Sequence, residues 1–394
     1  MAKESKIRSL CRVLLLAASI GALSAGAAFA QDQNNSQDQN SDLSDLNNQI
    51  LDNPGDVALN LRYAKAAEDA GKLRLALAAY ERILINDPQN QEARDGYERV
   101  RRRIEPGYTI ARLEVGARWD SDPLNLPSFF FDLPESTTYY AQGMVANESE
   151  LGGTRWRSVL NLDVEDNQDV GDLDYDYIGV QTGPVLAVGP HTAALPAIGV
   201  SSSWLGGDHY YNEVNVSFGM EGRVEGASYW WRVRDGYRDY DNNTNFFFGP
   251  VTEDGNYLDF RSGVTKPNVF SNRGSLVVSP FVRFSNIKGS VFDFSLFDEL
   301  APGKYLEYGV DADYNYQLTD HVQLSAGALW RQRDFRDSSR MDTFVSPQVS
   351  LTLQNVLPHN TDIKFEYRYR DNDSNSFLAK YNAKEATVAL VTRF

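Results

Sequence analysis

The feature that most constrains this chain is a strict alternation of apolar and polar residues over runs of about ten. Ile363, Phe365, Tyr367 and Tyr369 fall on one face of a period-two segment, and Lys364, Glu366, Arg368 and Arg370 on the other. Leu306, Tyr308, Val310, Ala312, Tyr314 and Tyr316 oppose Glu307, Gly309, Asp311, Asp313, Asn315 and Gln317 in the same way. The pattern recurs from Ala111 to Trp119, set against Arg112, Glu114, Gly116, Arg118 and Asp120, and in Val214, Val216, Phe218 and Met220. Successive side chains of a strand point to opposite faces, so each run is a strand with one apolar and one charged face. Globular strands usually stop at about five or six residues, whereas roughly ten are needed to cross a bilayer at a tilt.

Composition narrows the class further. The 394 residues carry 54 acids against 38 Lys and Arg, with a mean hydropathy of −0.44. That is too polar for several helical spans of about 20 apolar residues each. Yet 42% hydrophobic and 12% aromatic residues are too many for a disordered acidic chain.

Lys3, Lys6, Arg8 and Arg12 precede the apolar run from Val13 to Ala30, which ends Ala28-Phe29-Ala30. Residues 1–30 therefore read as a secretory signal peptide. The only cysteine, Cys11, leaves with it, so the mature chain has no disulfides, thiol chemistry or Cys-based metal site. A soluble β-sandwich shares the alternation. Strand length, export and a final segment, Val388 to Phe394, that closes on an aromatic favour a transmembrane antiparallel β-barrel over 106–394. A terminal Phe394 resembles the signal by which bacterial outer-membrane proteins are recognised for insertion, which implies outer-membrane lipid and the barrel-assembly machinery as partners.

Residues 31–42 hold no apolar side chain and read as a disordered linker. From 43 to 105 the period becomes helical, and Asn53-Pro54 recurs near Pro88, 34 residues later, which is the tetratricopeptide period. Ala64 and Ala76 sit where such a hairpin needs small residues, Gly71 at its turn and Tyr80 at its core. Asn60 stands where the repeat usually carries Trp. The region around Leu61, Tyr63, Ala64, Gly71, Ala76 and Tyr80 is the expected periplasmic docking segment. A generic helical hairpin is the plainer reading.

About fourteen strands follow, over 108–121, 136–148, 154–165, 173–187, 192–205, 209–223, 226–240, 254–266, 274–286, 304–318, 321–335, 342–355, 361–371 and 381–394. Connections after odd strands are long and those after even strands short, as barrels with long outer loops and short periplasmic turns require. The inward positions expected to line the lumen include Arg112, Arg118, Arg155, Arg157, Arg232, Arg234, Arg238, Arg331, Arg333, Arg368 and Arg370, interleaved with Glu114, Asp311 and Asp313. Two readings stay open: a water-filled conduit for a polar cargo, or an ion-pair network that plugs a closed barrel. Aromatic runs at 129–131, 246–248 and 291–297 mark the long connections.

No nucleotide, phosphate or zinc fingerprint occurs, and nothing indicates a cofactor, a metal or nucleic-acid binding. The four histidines fall at predicted strand ends, with no Ser/His pair placed on neighbouring strands, so no catalytic residue is assigned and no enzyme is expected.

A tetratricopeptide-like segment followed by a barrel of some 290 residues resembles the surface lipoprotein assembly modifiers. The resemblance is carried by Gly116-Ala117-Arg118-Trp119-Asp120-Ser121-Asp122, similar to that family's aromatic-Asp-Ser-Asn lead into its first long loop, with Asp122 standing in place of Asn. It implies an outer-membrane protein whose periplasmic helices dock a protein or lipoprotein client and whose barrel moves or displays it at the cell surface. An exopolysaccharide exporter with a helical adaptor, or a passive porin, are the alternatives.

Overall fold

The computed structural model describes residues 36–87, 90–104, 107–127, 135–189, 192–241, 245–246, 249–250, 254–287 and 302–394. Residues 1–30, expected to be a signal peptide, and the aromatic segments 129–131, 247–248 and 291–297 lie outside them. The chain divides into two compact units, Met1–Pro88 and Gln89–Phe394.

The first unit contains α1 (Ser36–Asp52), α2 (Val57–Asp69) and α3 (Leu73–Asn86). Asp56 caps α2 by accepting the Leu59 N–H at 3.0 Å, a contribution of about 1 kcal/mol. Leu59, Tyr63, Ala64 and Ala67 on α2 are buried, as are Ala76, Ala79, Tyr80 and Ile83 on α3. Asn60 is buried as well. It donates to the carbonyls of Pro54 and Asp56 at 3.1 and 2.8 Å and accepts from Arg82 at 2.9 Å, so polar bonds replace the bulk of an indole.

Two expectations change here. Helix α1 starts at Ser36, so residues 36–42 are helical where a disordered linker was expected. A helix can run past the stripe it buries, here Leu43 to Ile50, and the polar turn beyond gives no periodic signal. Helix α4 (Gln91–Ile104), expected to close the helical repeat, belongs to the second unit. Only three residues separate it from the first strand, which ties it to that unit.

The second unit's sheet has fourteen strands: β1 (Tyr108–Asp120), β2 (Ser136–Leu151), β3 (Thr154–Asn167), β4 (Tyr175–Gly189), β5 (Thr192–Leu205), β6 (Asp208–Val224), β7 (Ala227–Tyr240), β8 (Gly255–Pro267), β9 (Gly274–Ile287), β10 (Gly303–Thr319), β11 (Val322–Phe335), β12 (Met341–Leu357), β13 (Thr361–Ser374) and β14 (Tyr381–Arg393). Each end lies within three residues of its expected position. Every strand runs antiparallel to its chain neighbour, and β1 pairs with β14, Val115 opposite Leu390, to close the barrel. Closure leaves no edge, so the ladder satisfies the backbone internally, as a bilayer demands.

The two faces of the sheet decide between sandwich and barrel. On β6, Val214 and Val216 are 61% and 55% exposed on the outer wall, while the inward Glu213 is 3% exposed. A closed sheet that is apolar outside and charged inside is the inverse of a soluble fold, and it is the outer-membrane type. No helix among the described residues is long and apolar enough to cross a membrane. The crossing is made by strands.

The connections after β1, β7 and β9 are long and share one rim, and the even-numbered strands end in short turns at the other. The exception is Gly206-Gly207, a two-residue turn between β5 and β6 on the long-loop rim. Its φ values of +62° and +90° favour glycine at both positions.

Candidate functional site

Inward side chains of neighbouring strands meet in rows across the wall. One row runs Arg234, Asp259, Arg283, Glu307, Arg333, Asp342 across β7 to β12, each residue directly opposite the next. Opposite charges facing each other across strands stabilise a sheet. Arg283 donates to Asp259 at 3.0 Å and to Glu307 at 3.2 Å. Arg333 approaches Glu307 to 2.6 Å, and Asp259 also holds Arg261 at 3.1 Å. Asp342 is held by Arg340 through bonds of 2.5 and 2.9 Å. On β6, Glu213 accepts from Arg238 at 2.7 Å and from the Tyr257 hydroxyl at 2.6 Å.

A second arc occupies β13, β14 and β1 to β3. Arg370 reaches Asp120 at 2.7 Å, Arg118 reaches Glu165 at 2.5 Å, and Arg112 reaches Glu114 at 2.5 Å. The Tyr140 hydroxyl donates to Glu114 at 3.0 Å. Arg368 donates to Glu366 at 2.9 Å and to Gln348 at 3.1 Å, and Gln348 donates in turn to Asp313 at 2.9 Å. Between the arcs, β4 and β5 turn Gly183, Ala197, Gly199 and Ser201 inward. This low wall lets Arg157 on β3 reach past it to Glu221 on β6 at 2.7 Å. Arg155 sits opposite Glu150 at the short-turn rim.

Cavities among the described residues of this interior include two larger ones and a third of about 280 Å³ beside Arg157, Glu221 and Arg232. One, of about 440 Å³, is lined by Trp230, Arg261, Phe281, Arg331, Phe344 and Asp311 among others. The second, of about 510 Å³, is lined by Arg112, Glu114, Asp163, Glu213, Arg234 and neighbouring tyrosines. Arg283 contributes to both walls and so stands between them. At the long-loop end Tyr175, Tyr210, Tyr211, Tyr240 and Tyr257 form a buried cluster with Leu205 and Ile287.

The described start of the β1–β2 connection, residues 121–127, turns into this space, burying Asp122 and Asn125. Asp122 accepts from the Leu126 N–H at 3.3 Å, while its second carboxylate oxygen is buried without a hydrogen bond. Burial, reinforced by Asp120, pushes the Asp122 carboxyl up to about 6. An unfolded Asp titrates near 3.9, so the native loop binds the extra proton between the two values and gains stability as pH falls through about 6. Amide-exchange protection of residues 122–126 is expected to be higher at pH 5 than at pH 7.5, by on the order of 1–3 kcal/mol. Asp122→Asn, which mimics the protonated form, should hold that protection at pH 7.5 and abolish the difference. Equal protection at both pH values in the native protein would contradict this.

The expected docking residues lie elsewhere and are mostly core. Tyr63, Ala64, Ala76 and Tyr80 are buried in the helix packing and Gly71 forms the turn, leaving Leu61 half-buried. A residue that closes its own hairpin has no face left for a client. Phe394 completes the barrel seam: its N–H donates to the Ala111 carbonyl at 2.9 Å and its carbonyl accepts from Ala111 at 3.2 Å.

One pairing unseen in the sequence is Ser202 with His209, on neighbouring strands of the outer wall, with 3.3 Å between Oγ and Nε2. Ser202 Oγ also donates to Asn212 Oδ1 at 2.9 Å, and Asp241 stands 3.9 Å from His209, beyond hydrogen-bond reach. Sequence reasoning also passed over Arg261 and Arg283, although Leu258-Asp259-Phe260-Arg261 and Val282-Arg283-Phe284 alternate as clearly as the rest. It missed Trp230, Phe281 and Phe344 because alternation assigns aromatics to the lipid side.

Residues 298–394 match the model of a family described as "Putative beta-barrel porin 2". Among solved structures, the outer membrane channel DcaP of Acinetobacter baumannii is similar, at 9% identity over 73% of this chain and 97% of that one, with a TM-score of 0.44. A loop L8 deletion mutant of the Vibrio cholerae outer membrane protein OmpT is 10% identical over 74% of this chain and 100% of that one, with a TM-score of 0.40. No curated protein matches the sequence.

Proposed function

We propose that this outer-membrane barrel is a passive channel for small hydrophilic solutes, with its short-turn rim and helical unit in the periplasm. The observation that carries the reading is the pair of arginine-lined cavities, about 440 and 510 Å³, that share a wall at Arg283. A lumen lined by fixed, mutually paired charges stays hydrated and admits polar solutes that fit between them. Cavities of this size suit a small molecule.

The display of client lipoproteins, implied by the resemblance to the assembly modifiers, draws support from the order of helical segment and barrel. It also demands an interior that passes a polypeptide. The Arg283 pairs would have to break for that, each buried pair costing several kcal/mol, as would the half-exposed Arg157–Glu221 bridge, which adds little. Insertion would follow recognition of the Phe394 strand by the barrel-assembly machinery.

Purified full-length protein in a planar bilayer tests the channel reading. Discrete, ohmic conductance steps in potassium chloride are the expected result. A silent bilayer with correctly folded protein would overturn it.

A further inference from the structure

One register step from the alternating-charge row, toward the short-turn rim, the inward residues are Gly219, Arg232, Arg261, Phe281, Gly309, Arg331 and Phe344, each opposite the next across β6 to β12. This row contains no carboxylate. Arg232 and Arg261 face each other directly, an arrangement that costs stability in a sheet unless an anion joins them. Arg261 leans out of the row to Asp259, and Arg331 stands 3.9 Å from Glu307. Arg232 has no ion pair among the described residues, and its buried Nε lacks a hydrogen-bond partner.

The aromatics of the row are placed to receive the flat body of a ligand. Arg261 lies 5.6 Å from the centre of the Phe281 ring and Arg331 4.4 Å from that of Phe344. Gly309 leaves room for Phe281: a side-chain carbon there would meet the Phe281 ring at 2.7 Å. Trp230 closes the same cavity from β7.

Arg261, Arg283, Arg331, Arg368 and Arg370 line the cavity beside Glu307 and Asp311, while the partners Asp259, Glu366 and Asp120 sit outside its lining. The second cavity is close to balanced, with Arg112, Arg234, Arg238 and Arg283 against Glu114, Asp163 and Glu213.

We propose that this chamber is a binding site for small aromatic carboxylates. The carboxylate is held between the Arg261 and Arg331 guanidinium groups, in the field of Arg232, and the ring lies against Phe281, Phe344 and Trp230. Guanidinium forks match carboxylates in geometry, and their stacking on aromatic faces holds the planes in place. The assignment deepens the channel reading by naming the solute class, and rests on it for transport though not for binding.

Isothermal titration of the folded full chain in detergent with benzoate, cyclohexanecarboxylate, benzamide and chloride tests it. Benzoate is expected to bind several-fold tighter than cyclohexanecarboxylate, with benzamide and chloride far weaker. Arg261→Gln and Arg331→Gln should each weaken benzoate at least tenfold, with partial recovery in Arg261→Lys. Phe281→Leu should remove the preference for benzoate over cyclohexanecarboxylate. Folding of each variant is checked by its β-sheet circular dichroism, and the Lys variant keeps the test valid if a Gln variant fails to fold. Chloride competing as well as benzoate, or unchanged affinity in a folded Arg261→Gln/Arg331→Gln double variant, would overturn the site. Benzoate binding by a protein that conducts no ions would leave the site standing and remove the channel. Conductance without benzoate binding would do the reverse.

Discussion

Glu307→Ala is expected to lower the barrel's unfolding free energy by about 3–5 kcal/mol, the cost of breaking a buried ion network from one side. Glu307 is 1% exposed, and three arginines converge on it: Arg333 at 2.6 Å, Arg283 at 3.2 Å and Arg331 at 3.9 Å. Its removal leaves these three charges without the carboxylate on which they converge. Glu307→Gln keeps the shape and two acceptor lone pairs but not the charge, so its loss should be smaller in the same direction. Denaturant unfolding in detergent, followed by circular dichroism, measures both. A loss under about 1 kcal/mol for Glu307→Ala would place this row with exposed ion pairs and contradict the buried-network account.

The second large effect is on the pore. Arg283 is the side chain common to the two cavities, so Arg283→Ala should join them. The substitution is tolerable because each carboxylate it abandons keeps another arginine: Asp259 keeps Arg261 at 3.1 Å, and Glu307 keeps Arg333 at 2.6 Å. Opening this shared wall is expected to give roughly a doubling of single-channel conductance. The same change removes one positive charge between two carboxylates, so reversal potentials in a salt gradient should move toward cation preference. Unchanged conductance and selectivity would mean that ions take a path that does not pass Arg283.

Much of this architecture was readable because a lipid-facing strand writes its fold into every second residue. Strands such as β13, with Ile363 to Arg370 in perfect alternation, could be placed to within a few residues. Strands β4 and β5 were the hardest to read, and the structure gives the reason. Their inward residues include Gly183, Ala197, Gly199 and Ser201, small groups that make room for Arg157 and supply no polar contrast to the lipid side.

The site was legible by half. Parity alone places Arg112, Arg118, Arg157, Arg232, Arg234, Arg331, Arg333, Arg368 and Arg370 toward the interior. Which arginine meets which carboxylate depends on register between strands, and a one-residue slip would turn every pair outward. The carboxylate-free row was hidden for the same reason, because Arg232, Arg261 and Arg331 are far apart in sequence and share one row only through the strand register. The helical unit misled in the opposite sense: Tyr63, Ala64, Ala76 and Tyr80 stand out as a motif because they pack on one another, not because they face a partner.

Solute entry into liposomes carrying the full-length protein tests the channel account most directly. A series of small sugars, amino acids and aromatic carboxylates is compared with an unfolded polypeptide of similar charge. Rapid entry of the small solutes, falling with size, and exclusion of the polypeptide is the predicted result. Passage of the polypeptide, or exclusion of even the smallest solute, would contradict it.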